Sequence, residues 1–350
     1  MPEQFTVVRI DLPLDALTFD AAINADPVLS LQVRPPRGDD AAVWQALECA
    51  RLYHVSSARD DLPARWFVNA ALLARCPGLL AVSSYGAGYD TVDVDACTAA
   101  GVVVVNQAGS NAGAVAEHTF GLILGLSKRI NEVDRRLRRG ERFARADAMG
   151  FDLHGRTLGL VGIGHAGKRV AQLGAAFGMT VIACDPLLEA AQIVQRGARP
   201  VGLAELLERA DVVSLHCPLD ASTRGLFDAA AFARMKPGAL FVTTARGGIH
   251  DEAALYDALM SGHIGGAGLD VWAVEPPPLG HALLGLDQVI ATHHVAGVTL
   301  DSRRQMAAMA ARQISVIAAG QRPPRLVNPQ VWPAYLKRFE QALGRVPGGL

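Results

Sequence analysis

The chain has 350 residues, of which 50% are hydrophobic and 19% are charged, and its formal net charge is −1. This length suggests two domains with separate cores, and the composition argues against a disordered protein. A net charge near zero argues against a nucleic-acid or anionic-membrane partner, and the arginines between residues 135 and 142 are more typical of a solvated helix face or a subunit contact.

Cysteine usage and the N-terminal sequence indicate the compartment. The five cysteines are scattered, without the spacing of a metal site or a disulfide framework, which favours a reducing cytoplasm. Residues 1–11 lack the basic segment and the apolar core of a signal peptide, and no apolar run reaches the roughly 20 residues that span a bilayer. We therefore expect a cytoplasmic protein with no metal, no membrane partner, no nucleic-acid partner and no regulatory domain after residue 350.

The first hundred residues alternate short apolar strands with helical patterns, which predicts a parallel sheet with helices on both faces. Ligands of such sheets collect at the carboxyl ends of the strands. Gly86 and Gly88 follow the fourth strand and could present backbone N–H groups to a carboxylate there, although a simple turn is a serious alternative. The predicted strands are 7–10, 29–33, 52–56, 79–83 and 102–106, with a helix near 41–50.

The middle of the chain contains the strongest motif. Apolar residues recur near the helical period from Ala114 to about Leu137, which predicts one long helix. An apolar strand then ends in the glycine turn Gly162-Ile-Gly-His-Ala-Gly167. A helical stretch at 168–177 and a second strand at 180–183 follow, so the turn lies in a complete strand–turn–helix–strand unit.

Each glycine of this turn has a physical role in binding a dinucleotide. Gly162 permits a tight turn, Gly164 lets the backbone approach a pyrophosphate, and Gly167 lets the helix pack close to the strand. The helix N-terminus offers free N–H groups and a partial positive charge to the phosphates. Asp185 follows the second strand, where its carboxylate could accept hydrogen bonds from both ribose hydroxyls and would repel a 2′-phosphate, so NAD is favoured over NADP.

Strands and helices continue to alternate after this unit. The predicted strands are 211–217, 239–243, 268–272 and 289–292, and the predicted helices are 203–209, 229–235, 252–261 and 301–320, before a tail that is mostly loop with one short helix. We predict an α/β fold in which a Rossmann-type doubly wound parallel sheet is inserted into a second, flavodoxin-like α/β substrate domain.

The domain bounds follow from the order of these elements. The NAD-binding domain takes up 109–298, and the roughly 50 residues after it are too few for a third domain. We therefore expect 299–350 to complete the substrate domain that begins with 1–108. A cleft between the two domains would hold the substrate against the nicotinamide.

Three polar residues follow strands of the second sheet. They are Arg246, Glu275 and His294. Singly, an ion pair, a solvated loop acid and a structural histidine explain them equally well, but together they favour a catalytic set. Histidine can move a hydroxyl proton near neutral pH, a carboxylate orients it and raises its pKa, and arginine grips a carboxylate with two parallel hydrogen bonds. The set predicts a 2-hydroxy or 2-keto carboxylate as substrate.

Ordered stretches of the chain are together specific to one protein family. They are Gly86-Ala-Gly-Tyr-Asp90, Asn111–His118, Gly162–Asp185, Ser214–Leu219, Ala245–Glu252, Gly268–Val271 with Glu275-Pro276, and His294–Gly297. The chain resembles the D-isomer-specific 2-hydroxyacid dehydrogenases, which include phosphoglycerate, glycerate and D-lactate dehydrogenases.

The resemblance implies roles for individual residues. Arg246, Glu275 and His294 resemble the catalytic set, and Ala87 and Gly88, together with Arg246, resemble the substrate-binding positions. The implied cofactor-binding residues are Gly162, Gly164, His165, Ala166, Asp185, His216, Pro218, Thr223, Thr244, Ala245, Asp270 and His294, with Asp270 near the nicotinamide carboxamide. The resemblance also implies a homodimer through the cofactor domain, with 114–145 as a large part of the contact.

The chain departs from the family pattern at two places. His293 stands where the family usually has proline, and we assign catalysis to His294 because Val-Ala-Gly follows it and neighbouring strand residues face opposite ways. Ser56-Ser57 stands where the phosphoglycerate enzymes tend to have Arg-Ser, which argues against phosphoglycerate, although Arg59 is a nearby cation. Tyr85 and Tyr89 flank the glycine turn and either shape the substrate pocket or pack in the core.

The leading hypothesis is an NAD-dependent dehydrogenase that interconverts a small D-2-hydroxy acid and its 2-keto acid, with His294 as general acid and base. Two alternatives stay open. One is oxidation of formate or phosphite by an enzyme of the same family. The other is a non-catalytic NAD-sensing protein similar to the family's transcriptional corepressors.

Overall fold

The computed structural model describes residues 4–11, 16–59, 61–344 and 346–348. The chain divides into two compact units, Met1–Asn111 with Thr299–Leu350 and Ala112–Val298. The sequence analysis placed these bounds at 108 and 298. Residues 345, 349 and 350 of the predicted tail lie outside the described part.

The first unit contains a parallel sheet of five strands in the order β2-β1-β3-β4-β5. This is the flavodoxin-like order that we predicted. Every residue of the central strands β3 and β4 is buried, which fits a sheet that is covered on both faces. The elements are β1 (Phe5–Ile10), α1 (Ala16–Asn24), β2 (Leu29–Arg34), α2 (Asp40–Glu48), β3 (Leu52–Val55), α3 (Ala70–Arg75), β4 (Ala81–Ser84), α4 (Val94–Ala99) and β5 (Val103–Val105).

The second unit contains a parallel sheet of seven strands in the order β12-β11-β10-β9-β6-β7-β8. The order reverses between β6 and β9, and ligands of doubly wound sheets bind at such a reversal. The Rossmann-type prediction is therefore confirmed. The elements are α5 (Ala112–Ser127), α6 (Ile130–Arg138), β6 (Thr157–Val161), α7 (His165–Ala176), β7 (Thr180–Cys184), α8 (Ala190–Gln195), β8 (Arg199–Pro200), α9 (Leu203–Arg209), β9 (Val212–Leu215), α10 (Ala229–Arg234), β10 (Ala239–Thr243), α11 (Glu252–Met260), β11 (Ile264–Leu269) and β12 (Val289–Ala291).

Two further helices, α12 (Leu300–Ala318) and α13 (Trp332–Leu343), return to the first unit. Their apolar side chains join one core with β1 and β5, including Ile314 and Phe339. The Tyr335 hydroxyl donates a hydrogen bond of 2.7 Å to the Ile317 carbonyl and so ties α13 to α12. The sequence predicted mostly loop with one short helix in the tail, and this packing explains why that helix extends over 12 residues.

Side chains that cap helices fix the starts of many elements. The caps that accept hydrogen bonds from the first helical turn are Asp39 (α2), Asn69 (α3), Asp93 (α4), Asp228 (α10), Asp251 (α11) and Thr299 (α12). Helix α7 differs, because its cap residue is Gly164 and no side chain bonds its first turn.

The prediction of one long helix over 114–137 was wrong. The chain forms α5 and α6, and Arg129 between them has a φ of 54°, outside the helical region. The Phe151 N–H donates a hydrogen bond of 2.8 Å to the Ser127 carbonyl, which therefore has a partner outside the helix. The Arg129 side chain bonds Glu132 in the first turn of α6, which stabilises the break.

The predicted strand 268–272 was misplaced, because β11 spans Ile264–Leu269. Its glycines suit the position, since a Cβ on Gly268 would lie 2.9 Å from the Leu122 Cβ and would push α5 away. The chain leaves the sheet at Asp270. Elsewhere the strand and helix bounds differ from prediction by a few residues, and the sequence analysis gave no bounds for β8, α1, α3, α4 and α8.

Candidate active site

The glycine turn after β6 has the geometry that each of its glycines requires. Gly162 has a φ of 88°, and a Cβ there would lie 2.8 Å from the Cys217 nitrogen. A Cβ on Gly167 would lie 2.4 Å from the Gly162 carbonyl oxygen, so α7 can approach β6 only with glycine at this position. At Gly164 a Cβ would meet nothing within 4 Å, which leaves open space beside the backbone at the start of α7. The residues present therefore fit a pyrophosphate at the helix N-terminus.

Asp185 lies against the same turn. Its Oδ2 accepts a hydrogen bond of 2.9 Å from the Ile163 N–H, and its Oδ1 accepts one of 3.1 Å from the Leu187 N–H. The Arg196 guanidinium donates to the Ile163 carbonyl at 2.8 Å. Each carboxylate oxygen of Asp185 keeps a lone pair, so the side chain is fixed and can still accept from a ribose hydroxyl.

Other residues predicted to contact the cofactor follow strands β9 and β10. His216 follows β9 and bonds the Ser214 hydroxyl at 2.9 Å, and burial lowers the pKa of His216 to about 4. Thr223 donates to the Pro218 carbonyl at 2.7 Å, which closes the loop after His216. Thr244 and Ala245 follow β10, and the Thr244 hydroxyl lies 3.2 Å from that of Thr119 on α5.

The three predicted catalytic residues follow three adjacent strands. Arg246 comes after β10, Glu275 after β11 and His294 after β12. The His294 Nδ1 and the Glu275 Oε2 form a hydrogen bond of 2.8 Å. The Trp272 N–H donates to the other carboxylate oxygen of Glu275 at 3.0 Å, so both oxygens are held. The Nε2 of His294 is the ring nitrogen left to meet a substrate.

The electrostatics suit a proton-transfer pair. The hydrogen bond with Glu275 raises the pKa of His294, against the opposing effects of burial and of the Arg246 charge, and Asp270 adds to the increase. Burial acts to raise the pKa of Glu275, but the hydrogen bonds from His294 and from Trp272 outweigh it and lower that pKa. The pair therefore favours an imidazolium beside a carboxylate.

A buried carboxylate holds the loop that presents His294. Asp270 is fully buried and accepts hydrogen bonds from the Thr292 hydroxyl at 2.6 Å and from the Val295 and Ala296 N–H groups at 2.9 Å. The His294 N–H donates to the Asp270 carbonyl at 2.6 Å. These bonds hold His294 at a φ of 46°, in the left-handed region, which costs a non-glycine residue conformational free energy. Whether Asp270 also contacts a nicotinamide stays a prediction.

The adjacent histidine has a different environment. His293 is exposed, whereas His294 is half-buried against Glu275. Pairing with the carboxylate therefore favours His294 as the functional residue.

In the first unit, the turn after β4 is built to expose N–H groups. Its carbonyls have donors, since Gly86 O accepts from the Gln107 N–H at 2.8 Å, Ala87 O from the Asn106 amide at 2.8 Å, and Gly88 O from the Ser84 hydroxyl at 2.6 Å. Within the described residues, the N–H groups of 86–88 donate to no acceptor. A turn with satisfied carbonyls and free N–H groups is suited to a carboxylate.

Residues 120–296 match a family model described as the NAD-binding domain of the D-isomer specific 2-hydroxyacid dehydrogenases. The chain belongs to this family. The second unit is accordingly an NAD-binding domain, and the resemblance noted in the sequence is confirmed.

The chain is similar to several members of the family. It is 42% identical over 261 residues to a D-3-phosphoglycerate dehydrogenase of Mycobacterium bovis, which covers 75% of this chain and 49% of the relative. It is 44% identical over 243 residues to a (S)-sulfolactate dehydrogenase of Chromohalobacter salexigens, covering 68% and 77% of the two chains. The crystal structure of a D-lactate dehydrogenase from Aquifex aeolicus with NAD and lactic acid has a TM-score of 0.78 at 28% identity, covering 92% of this chain and 98% of that one. The chain spans about half the length of the first curated relatives that it matches.

Sequence reasoning assigned no role to several side chains that the structure brings into these networks. His118 on α5 bonds the Thr292 hydroxyl at 3.0 Å, and the indole of Trp272 donates to the Thr292 carbonyl at 2.9 Å. His118 lies in one of the family-like stretches, and that was its only signal. Arg303 on α12 places its guanidinium 5.7 Å from the centre of the Tyr85 ring. Nothing in its spacing indicated that contact.

The residues flanking the turn after β4 differ in exposure. Tyr85 is buried, whereas Tyr89 is 40% exposed. The Arg59 side chain donates to the Asp90 carbonyl at 3.0 Å, so it is held against the loop that follows the turn. Among the helices of the described residues, none is both long and apolar enough to cross a bilayer.

Proposed function

We propose that this protein is an NAD-dependent oxidoreductase that interconverts a small D-2-hydroxy acid and its 2-keto acid. The observation that carries the proposal is the 2.8 Å hydrogen bond between His294 and Glu275 at the ends of adjacent strands of an NAD-binding domain. NAD, when bound, accepts hydride from C2 of the hydroxy acid, and NADH returns it in the reverse direction.

His294 is the proposed general acid and base. Its Nε2 gives a proton to the substrate oxygen during reduction and takes the hydroxyl proton during oxidation. Glu275 keeps the ring oriented and stabilises the imidazolium. The Trp272 N–H keeps Glu275 aimed at His294.

Arg246 is the proposed substrate-binding cation. Its guanidinium can hold the substrate carboxylate with two parallel hydrogen bonds and polarise the neighbouring carbonyl oxygen. Its charge also helps to keep Glu275 ionised. Ala87 and Gly88 are proposed to give backbone N–H groups to the carboxylate.

We propose that the cofactor-binding residues predicted from the sequence contact successive parts of NAD. Gly162, Gly164, His165 and Ala166 would hold the pyrophosphate, and Asp185 the adenosine ribose. The remaining contacts would come from His216, Pro218, Thr223, Thr244, Ala245, Asp270 and His294.

A specific observation favours a substrate with a second anionic group. Arg303 lies over the ring of Tyr85, the residue that directly precedes the turn at 86–88, and its guanidinium forms no ion pair or hydrogen bond with any described residue. A cation without such a partner, close to the turn that we propose binds the carboxylate, is suited to a distal sulfonate or phosphate. The names of two relatives, a sulfolactate and a phosphoglycerate dehydrogenase, are consistent with that class.

Arg303→Gln tests the second anion, with Arg304→Gln on the same helix as matched control. We expect Arg303→Gln to lower kcat/KM for 3-sulfopyruvate or 3-phosphohydroxypyruvate by about 10- to 100-fold, the value of one charged hydrogen bond. Values for pyruvate and hydroxypyruvate should not change. An equal loss for charged and uncharged substrates would contradict the assignment.

NADH consumption across a panel of 2-keto acids tests the function itself. His294→Gln should lower kcat by about 10²- to 10⁴-fold with NADH binding retained, and the neighbouring exposed histidine provides the control His293→Gln. Turnover of formate or phosphite alone would favour the first alternative. NADH binding without turnover of any of these compounds would favour a sensor.

We also propose a homodimer through the NAD-binding domain. Helix α6 buries none of its residues within the chain, and it exposes Ile130 and Leu137 by 57% and 63%. Arg135 and Arg139 on α6 bond the Val289 carbonyl and the Asp287 carboxylate of the same unit, so they hold the helix in place. Leu137→Glu should therefore shift the sedimentation coefficient from dimer to monomer if α6 forms the contact.

A cytoplasmic location is our inference from the cysteines. All five are free thiols, and burial raises the pKa of Cys76 to about 11 and that of Cys97 to about 12, so these two are unreactive. Such thiols persist in a reducing compartment.

A further inference from the structure

The loop between β11 and His281 carries Glu275, and one carboxylate outside the loop contacts both of its ends. Glu252 is the first residue of α11. Its Oε1 accepts a hydrogen bond of 2.7 Å from the Ala273 N–H. Its Oε2 lies 3.1 Å from the His281 Nε2. Glu252 therefore connects the two ends of the loop from Ala273 to His281.

The tip of this loop has little packing to hold it. Val274 and Leu279 are 67% and 100% exposed. Apolar side chains that stay in water contribute no burial energy, so the polar contacts at the ends of the loop determine its position. Glu252 and His281 have side chains that are only 17% and 18% exposed, which strengthens their hydrogen bond relative to one at the surface.

Neighbouring peptide groups connect Glu252 to Glu275. The Ala273 N–H donates to Glu252, and the preceding N–H, that of Trp272, donates to Glu275 at 3.0 Å. A movement of this turn therefore moves the donor that aims Glu275 at His294.

Through Trp272, His281 is also connected to the segment between β12 and His294. Its ring meets the Trp272 ring edge-on at 5.3 Å, and the Trp272 indole donates to the Thr292 carbonyl. The His281 Nδ1 is buried and has no partner among the described residues, so the arrangement fits the tautomer in which Nε2–H donates to Glu252.

We propose that Glu252 is a positioning residue, which together with His281 fixes the loop that presents Glu275 to His294. This inference rests on the proposed function only for its kinetic readout. Asp251 caps α11 through the Ala253 and Ala254 N–H groups, so Glu252 is not needed to start the helix.

Glu252→Ala removes both contacts, and Asp257→Ala is the matched control, since it deletes an exposed carboxylate from the same helix. We expect Glu252→Ala to lower kcat for 2-keto acid reduction by about 10- to 100-fold, the usual effect of slight misplacement in an active site, with the Kd for NADH unchanged. The loss should shrink in Glu252→Gln, which keeps an acceptor for the Ala273 N–H. Asp257→Ala should behave as the unmodified protein.

A double-mutant cycle separates positioning from general destabilisation. In the Glu275→Gln background, Glu252→Ala should cause almost no further loss of kcat, because Glu252 acts through Glu275. Losses that multiply would overturn the proposal.

An NMR titration of the His294 imidazole gives a readout that needs no turnover. The groups whose charges act on His294 are Glu275, Arg246 and Asp270. Glu252→Ala should move the titration of His294 to lower pH, since Glu275 is then held less well, and Asp257→Ala should leave it unchanged. A titration that is unchanged in folded Glu252→Ala, or that shifts further in Glu252→Gln than in Glu252→Ala, would overturn the proposal even if no 2-keto acid proves to be a substrate. A shifted titration without turnover would support it and count against the proposed function alone.

Discussion

Replacing Glu275 with glutamine tests whether this carboxylate stabilises the protonated form of His294. A charged hydrogen bond contributes about 1.5–3 kcal/mol. The side chains of His294 and Glu275 are 36% and 24% exposed, and solvent screening reduces the expected value to about 1–2 kcal/mol. Glutamine keeps the shape and the acceptor for the Trp272 N–H but removes the charge. At a pH above the pKa of His294, the protonated fraction should therefore fall by about 5- to 30-fold.

The assay is kcat/KM for 2-keto acid reduction as a function of pH. In the proposed mechanism, reduction needs imidazolium, so its rate should fall as the pH rises through the pKa of His294. The ratio of unmodified to Glu275→Gln activity should therefore rise with pH in the reductive direction. In the oxidative direction, which needs neutral imidazole, the stronger protonation of unmodified His294 should lower this ratio at low pH, and the effect should disappear above the pKa of His294. Glu208→Gln removes a surface carboxylate that lies 3.5 Å from Arg234 and serves as control. A ratio that is constant or falls with pH in the reductive direction would refute the role of the Glu275 charge.

Further substitutions test the close approach of Gly247 to Trp272, the preference for NADH over NADPH, and the effect of the buried His250 on stability. Gly247→Ala should abolish most activity, because its Cβ would lie 1.8 Å from the Trp272 carbonyl oxygen, whereas Gly121→Ala, which meets nothing within 4 Å, should not. Asp185→Ser should raise kcat/KM for NADPH relative to NADH; an unmodified protein that already prefers NADPH would contradict the ribose argument. Burial lowers the pKa of His250 to about 4. Between that value and the ordinary histidine pKa, the His250 side chain is therefore neutral in the folded protein, whereas in the unfolded chain it takes up a proton. The free energy of unfolding should fall as the pH drops from about 6.5 towards 4, and His250→Val should weaken this dependence in urea titrations at pH 5 and 7; an unchanged dependence would argue against it.

Local patterns predicted the proposed catalytic pair of Glu275 and His294, because each signal that indicated it lies among neighbouring residues in the sequence. The glycine turn, the strands that end before Arg246 and His294, and the family-like stretches can all be read from neighbouring residues. Parallel strands bring their carboxyl ends to one edge, so residues after adjacent strands meet there. That rule was sufficient to predict that Glu275 and His294 lie together.

The same approach failed where long-range contacts decided the structure. The apolar period continues across Arg129, but the Ser127 carbonyl is bound by the Phe151 N–H, more than twenty residues away in the chain, and the helix ends there. The strand that we predicted at 268–272 follows apolar residues, whereas the chain in fact leaves the sheet where Asp270 turns inward to bond the His294 loop.

The sequence by itself determined the α/β class and the NAD-binding domain, and it led to the proposed set of Arg246, Glu275 and His294, because these depend on local spacing and on residue chemistry. Only the tertiary structure decided how that set is supported. The hydrogen bonds of Glu252 join α11 to the loop that follows β11. Arg303 contacts Tyr85, which lies more than two hundred residues earlier in the chain. Such contacts have no local period, since they join segments that are distant in the sequence, and so no pattern of neighbouring residues could have predicted them.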